Sequence, residues 1–229
     1  MNGTAGAAPP IGVVVVTHAA EGFVAECLES LRASGYPALR VVVVDNASPD
    51  GTVEAVRAWA RAALPGGLAE RGPDGGAPEG WLTLVHAGAN LGFAGGVNAG
   101  LRALLAEPGL DLFWVLNPDA AAEPAAPFAL ARRAGELGRF AVIGGRVLYA
   151  GTEARVQTDG GRLHRLAFTG VNVNMRARAE ACRPPDAASL DYVSGAHMLA
   201  SRDFVERAGL LDDSWFLYFE EIDWQLRRG

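Results

Sequence analysis

Three acidic positions stand where a carboxylate could do chemistry. Asp45 follows the apolar run 41–44, Asp119 follows the run 112–116 across Asn117-Pro118, and Glu221 sits in Tyr218-Phe219-Glu220-Glu221-Ile222-Asp223-Trp224. A carboxylate at the C-terminal end of a buried parallel strand lies on the rim where open α/β sheets bind ligands. Asp45 there can accept hydrogen bonds from a ribose or a base, or cap its own turn. Asp119 can hold Mg2+ or Mn2+, hard cations that take oxygen ligands and share their shell with phosphates; Asn117-Pro118-Asp119 also reads as an ordinary turn. The carboxylates of residues 220–223 lie beside large apolar groups, which raises a pKa toward that of a working general base. Acidic residues also favour the first turn of a helix, and Asp223 and Arg227 are spaced to pair. A fourth segment, Asn90-Leu91-Gly92-Phe93-Ala94-Gly95-Gly96-Val97-Asn98-Ala99-Gly100, places glycines ahead of a helix, where backbone can approach a phosphate or simply turn. Its spacing is not GxGxxG, so no dinucleotide fingerprint is matched.

These residues need a frame. The first half alternates β-branched runs with helical periods, the pattern of a parallel sheet with crossover helices. Strands are predicted over residues 11–16, 40–44, 81–85, 112–116 and 140–143. Helices are predicted over the segment carrying Phe23, Val24, Cys27, Leu28 and Leu31, over that carrying Val53, Val56 and Trp59, and over 95–106 and 124–137. Ser48-Pro49-Asp50 supplies cap chemistry for the second helix. Residues 64–80, rich in Gly and Pro, read as a flexible surface loop. Beyond residue 145 short alternating pieces at 146–149, 162–168 and 171–174 predict antiparallel ribbons. A strand near 192–200, a helix from Arg202 and a last helix from about Glu220 follow. The reading is one α/β domain over residues 1–229.

Composition narrows the function classes. Half of the 229 residues are apolar, enough for a full core, and the net charge of −6 argues against a nucleic-acid binder. Cys27 and Cys182 lack zinc or disulfide spacing and read as idle thiols of a reducing compartment. The four histidines give no metal pattern: His18 ends the first strand and can face the site, His86 also follows a strand, and His164 and His197 read as structural or solvated. No apolar run approaches the ~20 residues that cross a bilayer, and residues 1–10 lack the basic start and apolar stretch of a signal peptide. The expectation is a cytoplasmic protein, reaching the inner face of the membrane where a lipid-linked acceptor brings the two together.

The order of the segments is the most specific signal. Thr17-His18-Ala19, then Asp45 to Thr52, the glycine-rich segment, Leu116-Asn117-Pro118-Asp119, Ser194-Gly195-Ala196 and finally Phe216 to Trp224 resemble family 2 glycosyltransferases from about residue 11 to 228. Within that family the likeness is to rhamnosyltransferase-type members. The resemblance implies a GT-A fold: a mostly parallel central sheet flanked by helices, with a smaller antiparallel ribbon in the acceptor-binding half. It implies a nucleotide-sugar-binding half over about 11–120 and an acceptor-binding half over about 121–229. Thr17 and Asp45 would lie against base and ribose, His18 would alter how the base stacks, and Gly92, Phe93 and Asn98 would line the donor pocket. Asn117 and Asp119 match the family's DxD-type element, with Asp119 the metal-binding position. Glu220-Glu221 matches its acidic pair, with Glu221 as base in place of the usual aspartate and Asp223 in reserve.

The activity so implied is inverting transfer of a sugar, rhamnose being one candidate, from a dTDP- or UDP-sugar to a glycan, polysaccharide or lipid-linked acceptor of the cell envelope, with Mg2+ or Mn2+ as cofactor. Two other readings stand beside it. The chain could bind nucleotide sugars without turnover, the Asn117 and Glu221 departures marking lost catalysis, or it could be a nicotinamide-dependent oxidoreductase, against which the missing glycine fingerprint counts. Many relatives continue past the acidic helix; if this chain is a fragment or a natural short form, the expectation is donor binding with weak transfer.

Overall fold

Runs of valine and leucine with no polar interruption are stable as strands only when both faces are covered, and here they form the middle of a seven-stranded sheet. The computed structural model describes residues 8–151, 153–164 and 169–227. In chain order the first half runs β1 (Ile11–Thr17), α1 (Val24–Ala33), β2 (Leu39–Asp45), α2 (Thr52–Ala63), β3 (Ala69–Arg71), β4 (Leu82–His86), α3 (Gly92–Leu105) and β5 (Leu112–Leu116). The second half runs α4 (Ala126–Leu137), β6 (Val142–Gly144), β7 (Val147–Leu148), β8 (Val156–Thr158), β9 (Gly161–His164), β10 (Thr169–Asn172), β11 (His197–Ser201), α5 (Arg202–Ala208) and α6 (Glu220–Leu226). The sheet order is β3-β4-β2-β1-β5-β11-β6. Strands β1 to β5 pair in parallel, and β11 runs antiparallel between β5 and β6. Two ribbons, β7–β8 and β9–β10, are antiparallel. This is the expected α/β architecture.

Alternate strand residues feed two cores. Val13, Val15, Val41, Val43, Leu82, Leu84 and Trp114 pack with α1, α2 and α4. Val14, Val42, Val44, Val85, Phe113 and Val115 pack with α3, α5 and Trp224 of α6. The glycines of α3 explain how closely that helix lies on the sheet. A Cβ on Gly100 would come 2.5 Å from Val14 Cγ1, and one on Gly96 2.5 Å from Val16 Cγ1. Their i, i+4 spacing puts both on the face that meets β1. Close helix–sheet packing accounts for these two glycines.

Several boundaries differ from expectation for local reasons. The loop 64–80 contains the edge strand β3, whose Glu70 and Arg71 are held by side-chain partners: Glu70 by Arg57 and His86, Arg71 by Glu79. Phe23 is 54% exposed at the N-cap of α1 and does not belong to its buried face. Helix α3 starts a turn earlier than the glycines suggested, because the Asn90 side chain accepts from the Gly92 N–H at 3.0 Å. Residues 192–196 make a bridge and a turn, closed by His197 N–H to Ser194 O at 3.1 Å, so only His197–Ser201 is strand. The ribbon predicted over 162–168 is observed as far as His164; residues 165–168 and Arg228 lie outside the described residues. Among the described residues no helix is long and apolar enough to cross a membrane.

Candidate active site

Strand register builds the first wall of the site. Thr17 pairs with Asp45 and Asp45 with His86, so three side chains share one face at the C-terminal rim of adjacent strands. Thr17 is fully buried, and its hydroxyl donates to Val44 O at 3.3 Å. Asp45 is 6% exposed and accepts from the Ser48 N–H at 3.2 Å, so it caps its own turn while facing the rim. His18 is exposed, with Nδ1 3.1 Å from Asn46 O. The loops after β1 and β2 are laced together: Ala20 N–H donates to Thr52 Oγ1 at 2.8 Å, Glu21 N–H to Asp50 at 3.1 Å, and Gly51 N–H to Glu21 at 3.2 Å. Ala19 and Ala47 both take left-handed backbone, φ +56° and +54°. Strain of that kind, a kcal/mol or so per residue, persists only where surrounding bonds over-determine the chain.

The glycine-rich segment joins this rim to the acidic loop. Asn46, 2% exposed, donates from Nδ2 to Gly92 O at 2.8 Å. Gly92 has φ +70°, and a Cβ there would collide with Phe216 O, which accepts from the Phe93 N–H at 3.1 Å. The loop bearing Trp215, Phe216, Leu217, Tyr218 and Phe219 is therefore seated on the start of α3. Asn98 is placed differently from the donor-pocket expectation. It is 1% exposed, and its amide exchanges two hydrogen bonds with the Leu211 backbone, both 2.9 Å. Its visible job is to anchor the chain ahead of that loop.

The rest of the framework comes from α6 and the turn 194–196. Tyr218 and Phe219 are left-handed, φ +71° and +70°, immediately before Glu220. Glu221 packs on Gly195, where an added Cβ would lie 3.3 Å from Glu221 Cγ and 3.4 Å from the Phe93 ring. Burial raises the Glu221 pKa above the ordinary carboxylate value, although backbone N–H groups, that of Gly195 included, partly hold the anion. Glu220 is buried, and one of its oxygens has no hydrogen-bond partner among the described residues; burial raises its pKa as well. Asp223 is paired with Arg227 at 3.1 Å. The Asn117 N–H donates to Ala196 O at 3.1 Å, so the Asn117-Pro118-Asp119 turn adjoins the same 194–196 turn that touches Glu221. Asp119 itself is exposed, and Asn117 is half-buried. The buried Cys27 thiol donates to Asn117 O at 3.6 Å; burial, and then the Asp119 charge, push its pKa up to about 12.

The structure thus brings Thr17, Asp45, Gly92, Phe93, Asn117 and Glu221 into one connected framework, while Asp223 turns to the other side of α6. There it lines an apolar cavity of about 760 Å3 with Trp215, Phe219, Ile222 and Leu226. Neither Asp119 nor Glu221 is among the walls of that cavity. The sequence placed Asn46 and Gly195 inside matching segments but assigned neither a role in the framework. Their signals were a polar residue directly after a rim carboxylate and a glycine flanked by small residues. His197, on β11, accepts from the Trp114 indole at 2.8 Å, and burial lowers its pKa to about 4.

No three His, Cys, Asp or Glu side chains among the described residues form a ready metal cage. The donor set at Asp119 is one exposed carboxylate beside a half-buried amide. That suits a hard cation which completes its shell with diphosphate oxygens and water, the usual state of bound Mg2+.

The sequence profile of glycosyl transferase family 2 matches residues 12–175, a span containing Thr17, Asp45, the glycine-rich segment and Asp119 but not Glu221. No curated protein matches the chain. Among solved structures, S. aureus TarS residues 1–349 align with TM-score 0.62 at 15% identity, covering 96% of this chain and 55% of that one. The mannosyltransferase PcManGT from Pyrobaculum calidifontis, solved with GDP-Man and Mn2+, aligns with TM-score 0.60 at 23% identity, covering 94% and 50%. Glucosyl-3-phosphoglycerate synthase from Mycobacterium tuberculosis aligns with TM-score 0.50 at 16% identity, covering 87% and 59%. The chain spans about half the length of these structures. At such identities the likeness establishes the fold, which is GT-A, and the profile match establishes the kinship: the chain belongs to glycosyl transferase family 2.

Proposed function

We propose that the chain carries the catalytic half-sites of an inverting, metal-assisted glycosyltransferase that uses a nucleotide-diphosphate sugar. The observation that carries this reading is the 194–196 turn, which touches Glu221 on one side and hydrogen-bonds the Asp119 turn on the other. Thr17, Asp45 and His18 hold the nucleoside. Gly92 and Phe93 shape the donor side, and Asn117 orients the turn that presents Asp119. When bound there, Mg2+ or Mn2+ would neutralise the diphosphate and improve it as a leaving group. Glu221 is positioned as the base that takes the proton of the acceptor hydroxyl. Burial keeps its affinity for that proton high, and backbone N–H groups fix its direction. Asp223 suits the role less, because Arg227 already neutralises it.

The apolar cavity outside α6 and five consecutive exposed apolar residues, 215–219, support an acceptor with an apolar part, such as a lipid-linked glycan presented at a membrane surface. The sequence likeness to rhamnosyltransferase-type members makes dTDP-rhamnose the first donor to try, with UDP-sugars beside it. Family membership leaves the nicotinamide reading without support.

The test is consumption of a panel of dTDP- and UDP-sugars with Mn2+, followed by NMR of the released or transferred sugar. The reading requires an inverted anomeric centre and loss of turnover in Asp119→Ala. Retention of configuration refutes the single-displacement mechanism. Nucleotide binding with no consumption of any donor supports the binding-only alternative.

A further inference from the structure

His86 stands in the same registered row as Thr17 and Asp45, one strand further out, yet the proposed function gives it no role. Two residues back along each strand, Val15, Val43 and Leu84 belong to one core, so the three rim side chains face the same side as that core. Adjacent strands lie about 4.8 Å apart, close enough for one planar ligand to meet both Asp45 and His86. The His86 side chain is 35% exposed, and its Nε2 lies 2.7 Å from Glu70 on β3.

Glu70 decides which hydrogen His86 carries. Arg57 grips both Glu70 oxygens, at 2.9 and 2.8 Å. These bonds first, and His86 after burial has opposed them, hold the Glu70 pKa down to about 2. An ionised carboxylate only accepts, so Nε2 must donate to it. Above the pH range in which imidazoles take up a second proton, a ring protonated at Nε2 carries its lone pair on Nδ1. That nitrogen has no partner among the described residues.

Resting on the nucleotide-sugar reading above, we propose that His86, with its tautomer fixed by Glu70, is a base-selecting residue. It presents an acceptor beside Asp45 and so favours nucleobases that offer a ring N–H. Uracil and thymine offer one; cytosine offers a lone pair at the same ring position, which would face another lone pair. Selection by an unsatisfied polar contact of this kind is more discriminating than shape alone.

Calorimetric titration with UDP and CDP in Mg2+ isolates the effect, since the two share ribose and diphosphate. The wild-type chain should bind UDP about tenfold more tightly than CDP, the worth of one good hydrogen bond. His86→Phe should bring the two affinities together by weakening UDP. Glu70→Gln, which releases the tautomer, should narrow the gap while leaving the imidazole in place. Equal binding of UDP and CDP by the wild type, or a full UDP preference retained in either variant, overturns the proposal and leaves the nucleotide-sugar reading standing. If no nucleoside diphosphate binds at all, that reading falls and this one with it.

Discussion

Gly96 and Gly100 occupy equivalent positions on the buried face of α3, yet they differ in what stands behind them, and that difference makes a sharp prediction. An alanine at 100 would press its Cβ to 2.5 Å from Val14 Cγ1, and one at 96 to 2.5 Å from Val16 Cγ1 and 2.9 Å from the Asn46 amide. Overpacking of this sort costs about 1–3 kcal/mol, and replacing a helical glycine by alanine returns about 1 kcal/mol. Both variants should therefore be less stable by up to about 2 kcal/mol, a fall in Tm of up to about 8 °C for a chain of this size. Only Gly96→Ala also displaces Asn46, whose 2.8 Å bond to Gly92 O ties the donor rim to the aromatic loop. Losing that bond costs about 0.5–1.5 kcal/mol of folding stability and loosens the rim, so Gly96→Ala should bind UDP more weakly than Gly100→Ala, by at most about tenfold. Differential scanning fluorimetry gives the first quantity and titration calorimetry the second. Equal UDP affinity in two equally destabilised variants would refute the claim that Asn46 supports the rim.

Other consequences concern titration. Because Glu221 is raised by burial, the acid limb of kcat/KM should fall above the ordinary carboxylate range. Glu221→Gln should lower kcat about 10²- to 10⁴-fold with UDP affinity unchanged, while Asp223→Asn, breaking an exposed pair, should cost less than about threefold. Stopped assays across pH on the three proteins check all of this. His197 has a folded pKa of about 4, below its ordinary value. The unfolded chain therefore binds the extra proton first, and stability is full above about pH 6.5 and declines as pH falls toward 4, by at most about 3 kcal/mol. His197→Gln should flatten urea midpoints over that window, and an unchanged slope would contradict the assigned burial.

Much of this was legible in the chain, because burial on both faces and strand-end position leave direct marks. Uninterrupted runs such as 41–44 announce strands covered on both sides, and a polar residue at or just past the end of such a run marks the rim; Asp45 and Asp119 read that way as candidates, whereas Thr17 enters only through the family resemblance. The glycine-rich segment was harder to read, since glycine answers equally to a positive φ, as at Gly92, and to close packing, as at Gly96 and Gly100. Asn98 is expected in the donor pocket from the family resemblance alone, and a matching motif does not reveal whether an amide's partner is a ligand or, as here, the Leu211 backbone. Strand β3 was invisible because Glu70 and Arg71 are held by ion pairs and carry no apolar period. Relations between distant segments, such as Gly92 beneath Phe216 or Gly195 against Glu221, exist only once the chain is folded.

The account turns on a nucleotide lying between the Asp45 row and Glu221, with its diphosphate directed at Asp119. A crystal structure with UDP and Mn2+ addresses this most directly. It should place the uracil against Thr17, Asp45 and His86, the ion on Asp119 and both phosphates, and the Glu221 carboxylate facing the open end of the β-phosphate across a gap that one sugar would fill. Nucleotide bound away from that rim, or Glu221 walled off from the diphosphate by the 194–196 turn, would contradict it.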